Sequence, residues 1–136
     1  MDFLKSIQVA VSGLKAQSGR IRVISENIAN ADSVAANPNA DPYRRKVPTF
    51  QRSLDRELQA ETVRMGKIAR DQSAFGSRYE PGHPAADRNG YIKLPNVSGT
   101  IESMDLREAQ RSYEANLNVV TSTRRMIQRT LEILRA

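Results

Sequence analysis

The chain has 136 residues, a mass of 15.2 kDa and a net charge of +6 with a sequence pI near 10.1, which suits one ordinary domain and leaves little room for two separately cored ones. Leu, Ile, Val and Phe account for 30 residues, about 22%, close to the lower bound for a chain that folds unaided, so a thin core completed partly by a partner is expected. The absence of Cys excludes disulfides, thiolate zinc sites and cysteine nucleophiles, and no apolar run approaches the ~20 residues of a membrane span.

Met1 to Gly13 contains one Lys and no unbroken apolar stretch before a cleavage site, so it does not read as a removable signal peptide. From Phe3, steps of three and four residues reach Ile7, Ala10, Leu14, Gln17, Ile21, Ile24, Ile28 and Ala31, with Leu4 and Val11 alongside. This heptad-like stripe predicts an amphipathic helix over residues 3–31, within an N-terminal segment 1–32. Asp2 is placed to cap it, and Asn30-Ala31-Asp32-Ser33 followed by Pro38 ends it. Residues 33–42, rich in Ala, Asn, Asp and Pro, read as a connector.

From 43 to 95 the period shortens. Thr62 to Ile68 alternates apolar and polar residues, as a half-buried strand does, and Lys46–Gln51 and Tyr91–Leu94 are shorter strand candidates. Gly76, Pro81-Gly82, Pro84 and Asn89-Gly90 punctuate them with turns. The stretch Ser53 to Glu61 stays undecided between helical and irregular. A small β-rich body of about 50 residues results.

The last segment, 96–136, repeats the three-four step through Leu106, Gln110, Tyr113, Leu117, Val120, Arg124, Ile127, Leu131 and Leu134, with a helix start expected between Asn96 and Thr100. The fold class is therefore α+β: long terminal helices packed as coiled-coil-like arms, with a small β-rich middle. The two seams can bury each other in a helical hairpin or serve neighbouring subunits. Leu4, Val11, Val119, Met126 and Ile133, which lie off the main lines, favour the second arrangement. Gln17 and Arg124 interrupt the seams, which means either a polar environment at those positions or a local error of register.

The chain carries few residues in patterns that suit chemistry. His83 stands alone between Gly82 and Pro84, and Asp71, Glu80 and Asp87 are scattered in the strand region, whereas metal and acid–base sites need several oriented groups. No phosphate loop or nucleophile elbow occurs. No catalytic, cofactor-binding or metal residue is therefore assigned, and no enzyme activity or small-molecule substrate is expected. The basic runs Tyr43-Arg44-Arg45-Lys46 and Arg124, Arg125, Arg129 are short and aromatics are 5% of the chain, which argues against a nucleic-acid surface. A nucleic-acid binder would show steep salt dependence, and a helical adaptor dimerising through its ends would form one small oligomer; these are the competing classes.

Ser25-Glu26-Asn27-Ile28-Ala29-Asn30-Ala31-Asp32-Ser33, then Tyr43-Arg44-Arg45-Lys46, Tyr79-Glu80-Pro81-Gly82-His83-Pro84-Ala85-Ala86-Asp87, Gly90-Tyr91 and Arg111-Ser112-Tyr113-Glu114-Ala115-Asn116 follow in that order. With these motifs the chain resembles the bacterial flagellar rod and hook axial protein family, and the later motifs are similar to those of its proximal-rod members. The resemblance implies a non-enzymatic rod subunit, part of the drive shaft that joins the inner-membrane ring to the hook, transmits torque and surrounds the export channel. It further implies passage through the flagellar type III export apparatus without signal cleavage, a place in the basal-body rod within the periplasmic space, and a need for the chain in motility. The implied partners are other copies of the chain, other proximal and distal rod subunits, and the adaptor near the inner-membrane ring. The terminal helices would build the tube, with Phe3, Ile7, Leu14, Ile21, Ile24, Ile28, Leu106, Tyr113, Leu117, Val120, Ile127, Leu131 and Leu134 at subunit interfaces.

Overall fold

A computed structural model describes residues 2–135; Met1 and Ala136, the outer ends of the expected segments 1–32 and 96–136, lie outside the described residues. The elements in chain order are α1 (Phe3–Ala29), β1 (Lys46–Val47), β2 (Phe50–Asp55), β3 (Ala60–Met65), β4 (Ala69–Arg70), β5 (Gly76–Tyr79), β6 (Tyr91–Leu94) and α2 (Gly99–Arg135). The fold is α+β with two long terminal helices, as the sequence patterns suggest.

Asp2 caps α1, its carboxylate accepting from the Lys5 amide at 3.1 Å and so satisfying one of the orphan donors of the first turn. The helix ends at Ala29, two residues earlier than expected, because Asn30 turns back on it. The Asn30 side chain donates to the Glu26 carbonyl at 2.8 Å, and the Ala31 amide bonds to Ile28 in a tightened last turn. Helix α2 opens at Gly99, inside the expected window, with the Glu102 amide donating to the Ser98 carbonyl.

The strands form three two-stranded antiparallel sheets, β1–β4, β2–β3 and β5–β6. Two expectations need correction. Lys46–Gln51 is not one strand: Pro48, which has no amide proton to give a ladder, separates β1 from β2, and the two pair with different partners. Gly76, expected as a turn residue, instead begins β5 and pairs with Leu94. The undecided stretch resolves into the end of β2, a turn over residues 56–59 and the start of β3. Asp55 builds that turn by accepting from the amides of Glu57 and Leu58, and Gln59 takes a left-handed φ of 48° to close it. Strand β3 stops at Met65, short of the expected Ile68.

The chain divides into two compact units. One comprises Met1–Ile21, Thr49–Lys67 and Arg107–Ala136; the other comprises Arg22–Pro48 and Ile68–Leu106. In the first unit the helices run antiparallel, Gly13 facing Asn116 and Arg20 pairing with Glu108 at 3.6 Å. A Cβ on Gly13 would stand 2.8 Å from the Asn116 side-chain oxygen, so the glycine sets how closely the helices approach. Ala10, Ala16, Ala109 and Thr123 are buried on the same faces. The β2–β3 hairpin lies over the other side of α1, where the Val63 amide donates to Ser12 at 3.2 Å and Met65 covers Gly19.

This packing corrects the register expected for α2. The inward line is Ala109, Tyr113, Asn116, Val120, Thr123 and Ile127, while Gln110, Leu117 and Arg124 are exposed. Small side chains won the contact because they allow close approach, and the large apolar ones that dominate a hydrophobicity pattern were left on the flanks. Arg124 thus interrupts nothing. Gln17 does sit in a packed position: its Oε1 is buried without a hydrogen-bond partner among the described residues, at a typical cost of about 1–3 kcal/mol.

The second unit centres on Ile92, which is fully buried, with Val23, Ile24 and Ala85. Its β5–β6 hairpin turns at Gly90, whose φ of +84° suits glycine, and a Cβ there would meet the Tyr79 ring at 2.8 Å and Pro81 at 3.1 Å. Gly90→Ala is expected to lower the thermal midpoint by several degrees, consistent with about 1–2 kcal/mol of left-handed strain. Gly82→Ala, where an added Cβ meets nothing within 4 Å, should leave the midpoint unchanged in the same circular-dichroism melt.

Candidate assembly surface

The motif residues converge on a buried polar cluster in the second unit. Asn27, on the last turns of α1, is completely buried and uses its whole hydrogen-bonding capacity. Its Nδ2 donates to the Lys46 carbonyl at 2.8 Å and to Glu102 Oε2 at 3.0 Å. Its Oδ1 accepts from the Tyr43 hydroxyl at 2.8 Å and from the Lys46 amide at 3.0 Å. One carboxamide therefore ties α1, the segment leading into β1 and the first turn of α2.

Glu102 is also fully buried, and its second oxygen accepts from Arg45 Nε at 2.5 Å. The Arg45 guanidinium reaches Asp105 at 3.4 Å and Asp71 at 3.8 Å as well, so the buried carboxylate is both paired and hydrogen-bonded, as burial of a charge requires. Asn96 accepts from the Arg45 amide at 2.7 Å and donates to the Asp71 and Ser73 carbonyls. Arg44 donates to the Asp71 carbonyl and stacks over the Phe75 ring, and Lys46 pairs with Glu26. The run Arg44-Arg45-Lys46, a candidate binding patch on composition, is thus consumed inside the unit. Burial, with the charges of Glu26 and Glu102, raises the Tyr43 pKa against the opposing effect of Arg70, which keeps the phenol a donor to Asn27.

Asp71 is held below the ordinary aspartate value of 3.8, first by the Ser73 backbone amide, then by the Ser73 side chain, with Arg45 and Arg44 adding to this against desolvation. A depressed carboxylate pKa contributes stability that is complete above the unfolded-state value and lost as pH falls through the folded one. Asp71→Asn should therefore cost more stability near neutral pH than below pH 3.8, as read from urea midpoints at the two ends of that window.

His83 and the acidic residues near it build turns. The Ala85 amide donates to His83 Nδ1 at 3.0 Å, and Asp87 accepts from the amides of Asn89 and Tyr91. Among the described residues no group of three or more His, Cys, Asp or Glu side chains is placed to hold a metal ion, and no helix is long and apolar enough to cross a membrane.

The expected interface residues fall into three groups. Ile24 is buried within the second unit. Phe3, Ile7, Leu14, Ile21, Ile28, Leu106, Tyr113, Val120 and Ile127 are half-buried. Leu117, Leu131 and Leu134 are open to solvent, at 46%, 50% and 77%. With Val119, Met126 and Ile133, also exposed, the last three give residues 117–134 six exposed large apolar side chains, distributed on more than one side of α2. Leu4, at the start of α1, is likewise exposed. Glu102 and Asp105 escaped the sequence reading; the signal available for Glu102 was a carboxylate in the first turn of a helix, followed by a long run of inward positions.

Two family descriptions match the parts of the chain that carry these features. Residues 7–35 match "Flagella basal body rod protein" and residues 88–133 match "Flagellar basal body rod FlgEFG protein C-terminal", so the class is that of flagellar basal-body rod proteins. The chain is 50% identical over 129 residues to the flagellar basal-body rod protein FlgC of Agrobacterium fabrum, spanning 95% of this chain and 93% of that one. It is 38% identical over 133 residues to FlgC of Salmonella typhimurium, with 98% of each covered, and 33% identical over 132 residues to FlgC of Aquifex aeolicus, with 97% of each covered. The chain belongs to the FlgC family of flagellar basal-body rod proteins, structural subunits of the rod.

Proposed function

We propose that this structural rod subunit takes its place in the proximal rod, without enzymatic activity, and that it polymerises through its terminal helices into the shaft that transmits torque and encloses the export channel. Segments 1–32 and 96–136 build the tube, 33–42 connects, and 43–95 forms the middle body. The chain travels through the flagellar type III export apparatus without signal cleavage to a rod position in the periplasmic space. There it meets other copies of itself, other proximal and distal rod subunits and the adaptor near the inner-membrane ring. The observation that carries this reading is the set of exposed large apolar side chains over residues 117–134 on a chain of this family. Assembly would bury these side chains at roughly 25 cal/mol per Å², against the entropy of ordering the arms.

The test is deletion of the gene with complementation, scoring swimming and the composition of purified basal bodies by mass spectrometry. Loss of swimming, with assembly stopped beyond the inner-membrane ring, supports the reading. A deletion strain that swims with complete basal bodies overturns it.

A further inference from the structure

Asn89-Gly90 closes the β5–β6 turn and is also a chemically reactive pair. The chain has eight asparagines, and Asn89 alone is followed by glycine, which puts no side chain beside the backbone nitrogen that can attack its carboxamide. Asn89 is exposed, and its carboxamide makes no hydrogen bond among the described residues. Gly90 cannot be exchanged without strain, because its φ is +84° and a Cβ would stand 2.8 Å from the Tyr79 ring. The turn therefore demands the residue that leaves its neighbour open to attack. While folded, the same turn holds the reaction off. The Gly90 amide, the nucleophile once it loses its proton, donates to the Asp87 carbonyl at 3.0 Å, and the Gly90 carbonyl accepts from the Glu80 amide at 2.8 Å. Asp87 Oδ1 accepts from the Asn89 amide at 2.8 Å and from the Tyr91 amide at 2.9 Å. Both sides of the Asn89–Gly90 peptide are thus fixed, and the nitrogen is neither free of its proton nor free to swing towards the Asn89 Cγ.

We propose that Asn89 is a self-modification site gated by this turn, converting to aspartate and isoaspartate only when the turn opens. In the open turn the Gly90 nitrogen gives its proton to a base and attacks the Asn89 Cγ. The Cγ–Nδ2 bond breaks, the returned proton leaves with the nitrogen as ammonia, and a succinimide ring closes. Water then adds and opens either of two C–N bonds in the ring, one route giving aspartate and the other isoaspartate. Isoaspartate carries an extra carbon in the main chain, which displaces Gly90 from the Asp87 carbonyl and disturbs the Tyr79–Tyr91 pair beside the buried Ile92. A local opening that is otherwise reversible thereby leaves a permanent mark.

The experiment incubates the purified full chain in mildly alkaline buffer, native and in urea that unfolds it, and digests samples in acid, where the reaction stops. Mass spectrometry with electron-transfer fragmentation then counts aspartate and isoaspartate at each asparagine. In the unfolded chain Asn89 should convert before any other asparagine, and Gly90→Ala should slow it. In the native chain the conversion should be slower by about tenfold or more, because its rate follows the small population of open turns. Asp87→Ala, which removes the acceptor of two turn amides, should raise the native rate several-fold while circular dichroism shows unchanged helicity. If that variant loses helicity, the wild type in a urea series below its unfolding transition takes its place, and its rate should climb with urea. Equal native and unfolded rates, another asparagine converting first in the unfolded chain, or a native rate indifferent to Asp87→Ala, or to urea in its place, would each overturn the proposal.

Discussion

Asn27→Leu should be among the most damaging single changes to the folded chain, lowering unfolding free energy by about 3–4 kcal/mol. The side chain is fully buried and makes four hydrogen bonds. Leucine matches its size and satisfies none of the groups left behind: the Lys46 amide and carbonyl, the Tyr43 hydroxyl and one oxygen of the buried Glu102. Asn27→Asp separates shape from chemistry, since its carboxylate can accept from Tyr43 and Lys46 but cannot donate, and it faces Glu102 with a like charge. It should be at least as harmful as leucine near neutral pH. Asn30→Ala, which loses only a capping bond to Glu26, should cost about 1 kcal/mol or less. Urea unfolding followed by circular dichroism ranks the three, and equal midpoints for Asn27→Leu and Asn30→Ala would show that the cluster does not hold the unit together.

Leu131→Asp should have the opposite character, with little effect on the isolated chain and a severe one on the organelle. Half of the side chain is already in water, so the stability of the monomer should stay within about 0.5 kcal/mol. In a rod, a carboxylate would occupy a position that the proposed assembly buries, where an unpaired charge is strongly disfavoured. The variant should be exported, fail to enter the rod and abolish swimming in a deletion background. Leu14→Asp should also block incorporation, but Leu14 is half-buried within its own unit, so its effect mixes folding with assembly. Normal swimming with Leu131→Asp would remove residue 131 from any interface.

Periodicity made the two long helices legible because three-four stepping of apolar residues has a single geometric cause. It also placed Leu106, Tyr113, Val120 and Ile127 correctly on the half-buried side of α2. It failed on the alternate line, where Ala109, Asn116 and Thr123 face inward, because a pattern that weights size cannot see a contact chosen for smallness. Strand pairing was less legible: a two-residue strand such as β1 or β4 has no periodicity, and the break at Pro48 follows from a missing donor rather than from hydropathy. The polar cluster was invisible for a different reason. Asn27, Arg45, Asn96 and Glu102 are spread over 75 positions, and only the fold brings them within hydrogen-bonding distance.

Because the chain has no native cysteine, a single Leu131→Cys variant reports directly on whether the exposed end of α2 is covered in the assembled rod. The measurement is the rate of thiol alkylation on the purified chain and on basal bodies isolated from a complemented deletion strain that swims. Fast labelling of the free chain and strong protection in the basal body, at least tenfold, is the predicted result. Equal labelling in both states would contradict burial of the exposed apolar side chains at the end of α2 by the rod.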